Sequence, residues 1–197
     1  MPLGYRFREN DERAANGDSN GRSGWKGGTR LGSSSAIERP ATLHLFWGKI
    51  GSGKSTLAAQ LADDPSTVLI SEDHFLANLF PGEIVTPKDY ARRSDRLRRT
   101  IGPHIVELLR NGVSVALDFQ ANTTAVRAWM RHLIKEAACS HQLHLLQTPD
   151  AICRERLAAR NDSGLHPYHV SDADFDLFNS YIVAPAPNEG FNIVKHA

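Results

Sequence analysis

Gly48-Lys49-Ile50-Gly51-Ser52-Gly53-Lys54-Ser55 decides how this chain is read. It follows the pattern Gly-x-x-x-x-Gly-Lys-Ser/Thr and lies between an apolar run, Leu43 to Trp47, and an amphipathic stretch that opens at Lys54. A strand, a glycine loop and a helix form the context in which this pattern carries chemistry. Glycines let the backbone curl, so that successive N–H groups and a helix N-terminus converge on phosphate oxygens. Lys54 is then placed to reach β- and γ-phosphates, and Ser55 to bind Mg²⁺. Gly48, Gly51, Ser52, Gly53, Lys54, Ser55 and Thr56 are the expected nucleotide-binding residues, with ATP and Mg²⁺ as the expected ligands.

Beyond this loop, apolar runs of strand length alternate with longer amphipathic stretches, which is how a parallel sheet covered by helices is written. Strands are expected at Leu43–Trp47, Thr67–Ile70, Val113–Leu117, Gln142–Leu146 and Phe191–Val194. Helices are expected at Lys54–Ala62, Pro87–Arg110, Thr124–Ala138, Pro149–Arg160 and Ser171–Ile182, the second bent at Gly102-Pro103 because proline removes a backbone donor. The fold class is therefore α/β, a three-layer α/β/α sandwich around a five-stranded parallel sheet. Met1 to Pro40 holds seven of the fifteen glycines and no hydrophobic periodicity, so residues 1–40 read as a disordered leader and 41–197 as the folded domain. Tyr5, Phe7 and Trp25 are the leader side chains able to dock on it.

In open parallel sheets functional groups gather at the carboxyl ends of strands. Three features fall there. Ser71-Glu72-Asp73-His74 follows the second strand, where Asp73 suits a general base taking the proton of an incoming hydroxyl, with Glu72 and His74 orienting it or the acceptor. Asp73 also suits the cap of a short helix Phe75–Phe80. Asp118 ends the third strand and suits a Mg²⁺-bound water or an acceptor hydroxyl. Beyond it, Asn122 or Thr123 reads as a helix cap, and Arg127 in the first turn is placed to point back at the site. The third feature is Cys153-Arg154-Glu155-Arg156-Leu157-Ala158-Ala159-Arg160, where Arg156 and Arg160 share one helix face at the base of a polar loop, a lid spanning about 154–170. Phosphoryl transfer is catalysed mainly by positioning and charge neutralisation, so arginines closing over phosphates are expected.

Guanine-reading Asn-Lys-x-Asp and the transporter signature Leu-Ser-Gly-Gly-Gln are both absent from the sequence, which leaves a small phosphotransferase. These motifs, in this order, resemble the small P-loop kinase group sometimes labelled AAA-family ATPases. That group is similar to polynucleotide 5′-kinase, zeta-toxin and chloramphenicol phosphotransferase domains. The likeness runs from Leu43 to Val194. It implies a sheet of order 2-3-1-4-5, ATP and Mg²⁺, a base at Asp73 and lid arginines at Arg156 and Arg160. Lys49-Ile50 departs from the proline such kinases often carry and adds a charge near the phosphates.

The acceptor is less constrained. Arg92, Arg93, Arg96, Arg98 and Arg99 form a basic run that suits either a nucleic-acid backbone or a solvated helix face. Asp172, Asp174 and Asp176 add to Glu72, Asp73 and Glu83 in giving the acceptor side acidic character, which favours a cationic, hydroxyl-rich small molecule such as an aminoglycoside. The leading expectation is an ATP-dependent kinase of a small hydroxylated molecule, with antibiotic inactivation as a refinement. A polynucleotide 5′-hydroxyl kinase and a non-transferring P-loop switch are the alternatives. His166 and His169 lie in the lid loop. The chain has 197 residues, 41% hydrophobic and 23% charged, with a net charge of +1, which excludes a strongly basic nucleic-acid binder. No apolar run reaches membrane-spanning length. Cys139 and Cys153, both in segments read as helical, argue against a disulfide framework and for the cytoplasm.

Overall fold

A computed structural model of the chain describes residues 40–163 and 170–196. The leader with Tyr5, Phe7 and Trp25, and the lid residues His166 and His169, lie outside the described residues. Five strands, β1 (Thr42–Trp47), β2 (Thr67–Ser71), β3 (Ser114–Gln120), β4 (Ser140–Leu146) and β5 (Ile193–His196), form one sheet of order β2-β3-β1-β4-β5. Every pairing is parallel, so the expected class and strand order both hold. Parallel strands need crossovers, and the helices supply them: α1 (Lys54–Leu61), α2 (Glu72–Leu79), α3 (Pro87–Arg110), α4 (Thr124–Ala137), α5 (Asp150–Ser163) and α6 (Asp172–Ser180).

Alternation along the strands sets the two faces. Leu43, Leu45, Val115, Leu117 and Leu143 pack with Ile105, Leu109, Met130 and Leu133 of α3 and α4 in the main core. Phe46, Ala116 and Leu146 face the other way onto Ala58 and Leu57 of α1. A third cluster, Cys153, Leu157, Val170 and Phe175, joins α5 to α6 and takes in Ile50 from the glycine loop. Among the described residues no helix is long and apolar enough to cross a membrane.

Helix α3 has the bounds the sequence suggested. Thr86 and Asp89 form a capping box ahead of Pro87, and the helix runs without interruption through Gly102 and Pro103. Gly102 faces Leu133 and Trp129 of α4, where a Cβ would meet both at ordinary van der Waals distance. Two boundaries differ from expectation in ways that bear on the site. Helix α2 starts at Glu72, capped by Ser71, which puts Asp73 in the first turn and not at the cap. Strand β3 continues to Gln120, and its register against β1 shifts between Leu45, opposite Leu117, and Phe46, opposite Gln120. Asp118 therefore lies at a break in the β1 register while still pairing with Ser71 of β2. Cys139 is not helical. Helix α4 ends at Ala137, with Ala138 left-handed, and Cys139 precedes β4. Both cysteines are free.

Candidate functional site

The glycine loop joins β1 to α1 at the carboxyl edge of the sheet. Gly48, Gly51 and Gly53 all have positive φ, at 151°, 77° and 100°. Space matters as much as φ here: a Cβ on Gly48 would lie 2.8 Å from the carbonyl oxygen of Leu146, and one on Gly51 2.5 Å from that of Cys153. Gly51 is thus pressed onto the first turns of α5, and Ile50 fills the apolar cluster beneath. Ser71, Thr86, Thr123 and Ser171 cap α2, α3, α4 and α6 with their side chains, but α1 begins on Gly53 with no side-chain cap. Its first N–H groups face the cleft, as an anion-binding helix end requires.

A cleft of about 650 Å³ opens over this helix end. One wall carries Ile50 to Leu57 with Arg156, Leu157 and Arg160, and the other carries Glu72, Asp73, Tyr90, Asp118 and Gln120. Lys54 is 9% exposed and folds back onto the loop, donating to the carbonyls of Gly48 at 2.8 Å and Lys49 at 2.6 Å. Burial lowers its pKa to about 8, against the opposing pull of Asp118, Cys153 and Asp73. Ser55 hydrogen-bonds Asp118, whose carboxyl burial pushes up and Ser55 and Lys54 pull down. A serine hydroxyl with a desolvated carboxylate beside an uncapped helix end is an oxygen donor set of the kind Mg²⁺ takes, so the residues fit the ion.

Of the two expected cap candidates, Thr123 caps α4 and Asn122 does something else. Its Oδ1 accepts from the N–H of Gly48 and its Nδ2 donates to the Gly48 carbonyl, both at 3.0 Å. At 7% exposure it is a buried clamp on the first residue of the glycine loop. Lys49 ion-pairs with Asp150 at the start of α5, so the added charge is spent on holding the loop to that helix.

On the acceptor-side wall a buried network stands behind Asp73. Glu72, 4% exposed, receives the hydroxyl of Ser94 and the guanidinium of Arg98 on Oε1, while its Oε2 lies 3.2 Å from the hydroxyl of Tyr90. The same hydroxyl lies 3.2 Å from Oδ1 of Asp73. Burial is the main cause that raises the Glu72 pKa to about 7. Sequence reasoning missed Tyr90 and Ser94 and read Arg98 only as part of a basic run, although their spacing of four on α3 is a polar stripe on one helix face.

Two expected site residues lie elsewhere. Arg127 does not point into the cleft: it is fully buried, grips Glu189 through Nε at 2.6 Å and Nη2 at 2.9 Å, and donates to the carbonyls of Ala121 and Val183. A buried guanidinium needs those acceptors, and they pin the segment before β5 to α4. His74 is exposed, edge-on to Phe75, and is not among the residues lining the cleft. The charge clusters also resolve. Arg92 pairs with Asp89, Arg93 with Glu83, Arg98 with Glu72 and Arg99 with Asp95. Asp172 and Asp176 bind Arg154, and Asp174 completes the capping box of α6, so these three add no acidity to the acceptor side.

Comparison with known proteins bears on the family and the fold. Residues 43–185 match the family model described as AAA domain. No curated protein matches the chain. Among solved structures it is similar to a candidate kinase from Chloroflexus aurantiacus J-10-fl, with 21% identity over 80% of this chain and 85% of that one and a TM-score of 0.64. Kti12 of Chaetomium thermophilum, solved with ADP-AlF3, gives 15% identity over 80% and 89%, with a TM-score of 0.56. A gluconokinase from Sinorhizobium meliloti 1021 gives 16% over 80% and 83%, with a TM-score of 0.52. At these identities the likeness is one of fold.

Proposed function

The chain belongs to the AAA domain family and has the fold of the small P-loop kinases, and from that premise we propose that it is an ATP-dependent phosphotransferase acting on a hydroxyl of a small molecule. The observation that carries the reading is the meeting, in one cleft, of an uncapped helix N-terminus with a carboxylate on the opposite wall. The helix end, the loop N–H groups and Lys54 bind the phosphates. A switch needs that half of the site, but it has no need of a base facing it.

Asp73 is the base. It projects from the first turn of α2 into the cleft, where it takes the proton of the acceptor hydroxyl as the new P–O bond forms. Lys54 follows the charge that develops on the transferred group, and Arg156 and Arg160 close it from the α5 wall. Arg156 already reaches the loop, donating to the Ser52 carbonyl at 3.4 Å. Ser55 and Asp118 are the residues that hold Mg²⁺, which when bound neutralises phosphate charge.

The acceptor-side wall is built from Glu72, Asp73, Tyr90, Asp118 and Gln120, with no lysine or arginine among its described residues. A phosphorylated acceptor meets carboxylates there, the cations coupled to Asp73 being Lys54 and Arg160 of the phosphate-side wall. A neutral or cationic polyhydroxyl compound does find hydrogen-bond partners, and an aminoglycoside is one such class. The arginines of α3 that pair with neighbouring carboxylates give little support to a polynucleotide acceptor. The test is calorimetric titration with Mg·ATP followed by a mass-spectrometric screen of sugars, nucleosides, aminoglycosides and 5′-hydroxyl oligonucleotides for a product heavier by one phosphoryl group. Lys54→Ala is expected to abolish both binding and product, and full activity in that variant overturns the reading.

A further inference from the structure

Gln120 lines the cleft without a part in binding phosphate or moving a proton. It ends β3 two positions beyond Asp118, on the sheet face that Ala116 turns toward α1, while Phe119 between them enters the main core. Strand β2 pairs with β3 only as far as Ser71, opposite Asp118, so Gln120 has passed the end of that strand. It stands opposite Phe46, where β1 gives way to the glycine loop. The direction of its amide follows from its neighbours. Asn122 Oδ1 takes the N–H of Gly48, which fixes Nδ2 as the other end of the Asn122 amide. Nδ2 has two hydrogens, one for the Gly48 carbonyl at 3.0 Å and one for Oε1 of Gln120 at 3.4 Å. Gln120 therefore turns its oxygen to Asn122 and its nitrogen away. The side chain is half-buried and makes no other hydrogen bond to the described residues, and its nitrogen is not among the buried atoms that lack a partner. Nε2, with two hydrogens, is open to the cleft.

On a wall otherwise made of Glu72, Asp73, Tyr90 and Asp118, that amide is the one side-chain nitrogen among the described residues. Carboxylates take hydrogens but cannot serve the lone pairs of a hydroxyl, which is donor and acceptor at once. Phosphate oxygens have donors of their own on the opposite wall, in Lys54, Arg156, Arg160 and the end of α1. What is left for Nε2 is an oxygen of the acceptor. We propose that Gln120 selects the acceptor by donating from Nε2 to an oxygen other than the one phosphorylated, so that the substrate carries at least two oxygens, as a polyol does and a simple alcohol does not. This rests on the reading of the cleft as a phosphotransfer site. A hydroxyl, ether or carbonyl oxygen completes the contact, whereas an ammonium in the same place has no lone pair to offer. An aminoglycoside therefore fits with a hydroxyl turned to Gln120 and not an amine. Because Oε1 meets Asn122 and Asn122 holds Gly48, two amides join the acceptor to the first residue of the glycine loop.

The test pairs the full chain with acceptors that lack one oxygen. Single-deoxy analogues of whichever compound the Mg·ATP screen shows to be phosphorylated are compared by kcat/KM in the wild type and in Gln120→Met. The expected result is one deoxy position, away from the phosphorylated hydroxyl, that costs the wild type about three- to tenfold and costs Gln120→Met nothing. Mg·ATP affinity measured by calorimetry is expected to stay the same in both, because Asn122 keeps its two bonds to Gly48. Gln120→Glu separates contact from support: its carboxylate still accepts from Asn122 but has no hydrogen for the cleft, so it is expected to behave as Gln120→Met. Deoxy penalties that all survive in Gln120→Met, a Gln120→Glu variant with the wild-type kcat/KM, or a loss confined to Mg·ATP affinity overturns the proposal. Nitrogen-15 NMR of the side-chain amides, with Gln120 assigned by its absence in Gln120→Met, reads the contact without turnover. The Gln120 amide is expected to shift when the sugars, nucleosides and aminoglycosides of the screen are titrated into protein holding Mg²⁺ and a non-transferable ATP analogue. A shift with no phosphorylated product from any compound overturns the kinase reading and leaves the contact standing, and product without a shift overturns the contact alone. Neither shift nor product overturns both.

Discussion

Replacing Asn122 by alanine removes one side chain and two bonds to the same residue, the N–H and the carbonyl of Gly48, both at 3.0 Å. The two groups fare differently. The carbonyl keeps Lys54 Nζ at 2.8 Å, whereas the amide of buried Gly48 loses the acceptor that satisfied it. A buried donor left unmade costs about 1–3 kcal/mol, and the second, replaceable bond about 1 kcal/mol, giving an expected destabilisation of about 2–4 kcal/mol. The loss falls where the glycine loop leaves β1, so loop geometry suffers with it, and Mg·ATP affinity is expected to drop about tenfold. Urea denaturation at constant m-value measures the first quantity, and calorimetric titration the second. Asn122→Asp sharpens the case: it keeps the acceptor for the Gly48 N–H but turns a carboxylate oxygen toward the carbonyl, so it is expected to be at least as harmful as alanine. The reasoning fails if Asn122→Ala changes stability by less than about 0.5 kcal/mol, the range of an ordinary surface substitution.

Four other outcomes are expected. Gly51→Ala places a Cβ 2.5 Å from the Cys153 carbonyl at a positive φ, so the loop has to move off α5 and Mg·ATP affinity measured by calorimetry is expected to fall more than tenfold. Arg127→Met leaves the Glu189 carboxylate without its fork and is expected to cost about 3–5 kcal/mol in urea denaturation, with nucleotide affinity of the remaining folded protein little changed. Lys54 in the free protein has its pKa depressed to about 8. Nucleotide binding needs its charge, so the Mg·ATP association constant is expected to fall as pH rises above that value, and a curve flat through the alkaline range refutes it. His144 sits in a row of imidazoles, its ring nitrogens 3.1 Å from His44 and 2.9 Å from His196, and burial is the main cause that lowers its pKa to about 4. The unfolded chain protonates it first, so its contribution, on the order of 3 kcal/mol, is lost as pH falls from 6.5 toward 4. Glu72 acts oppositely, since its raised pKa makes the fold more stable as pH falls from 7 toward 4.5. His144→Leu is accordingly expected to be stabilised on mild acidification relative to the wild type in parallel urea titrations.

Much of the site was readable because its signals are local. The glycine loop is eight consecutive residues whose flanking strand and helix are visible in the same stretch, and Asp73 follows a strand directly. What escaped the sequence depends on elements far apart. Tyr90, Ser94 and Arg98 reach Glu72 only because α3 packs on α2, so their spacing of four looked like one more polar helix face. Asn122 and Arg127 carry residue types suited to a cap and a phosphate. Their real partners are Gly48, 74 positions away, and Glu189, 62 positions away, and these distances exist only once the sheet has formed. Asp118 was placed at the right edge of the sheet for an incomplete reason, since β3 runs on past it to Gln120 with a break in register against β1, a matter of strand pairing and not of composition. The α3 arginines and the aspartates of α6 misled in the same way. Charge counted along the chain said nothing about the ion pairs that neutralise it.

The central claim is that a base faces bound ATP in this cleft, and ³¹P NMR of Mg·ATP with a panel of hydroxylated acceptors tests it most directly. The wild type is expected to convert ATP to ADP with equal formation of a phosphoester on one acceptor. Asp73→Asn is expected to lower that rate by about 10²- to 10⁴-fold while its ATP affinity is kept. A protein that binds Mg·ATP yet forms no phosphoester with any acceptor, or an Asp73→Asn variant that transfers at the full rate, contradicts the account.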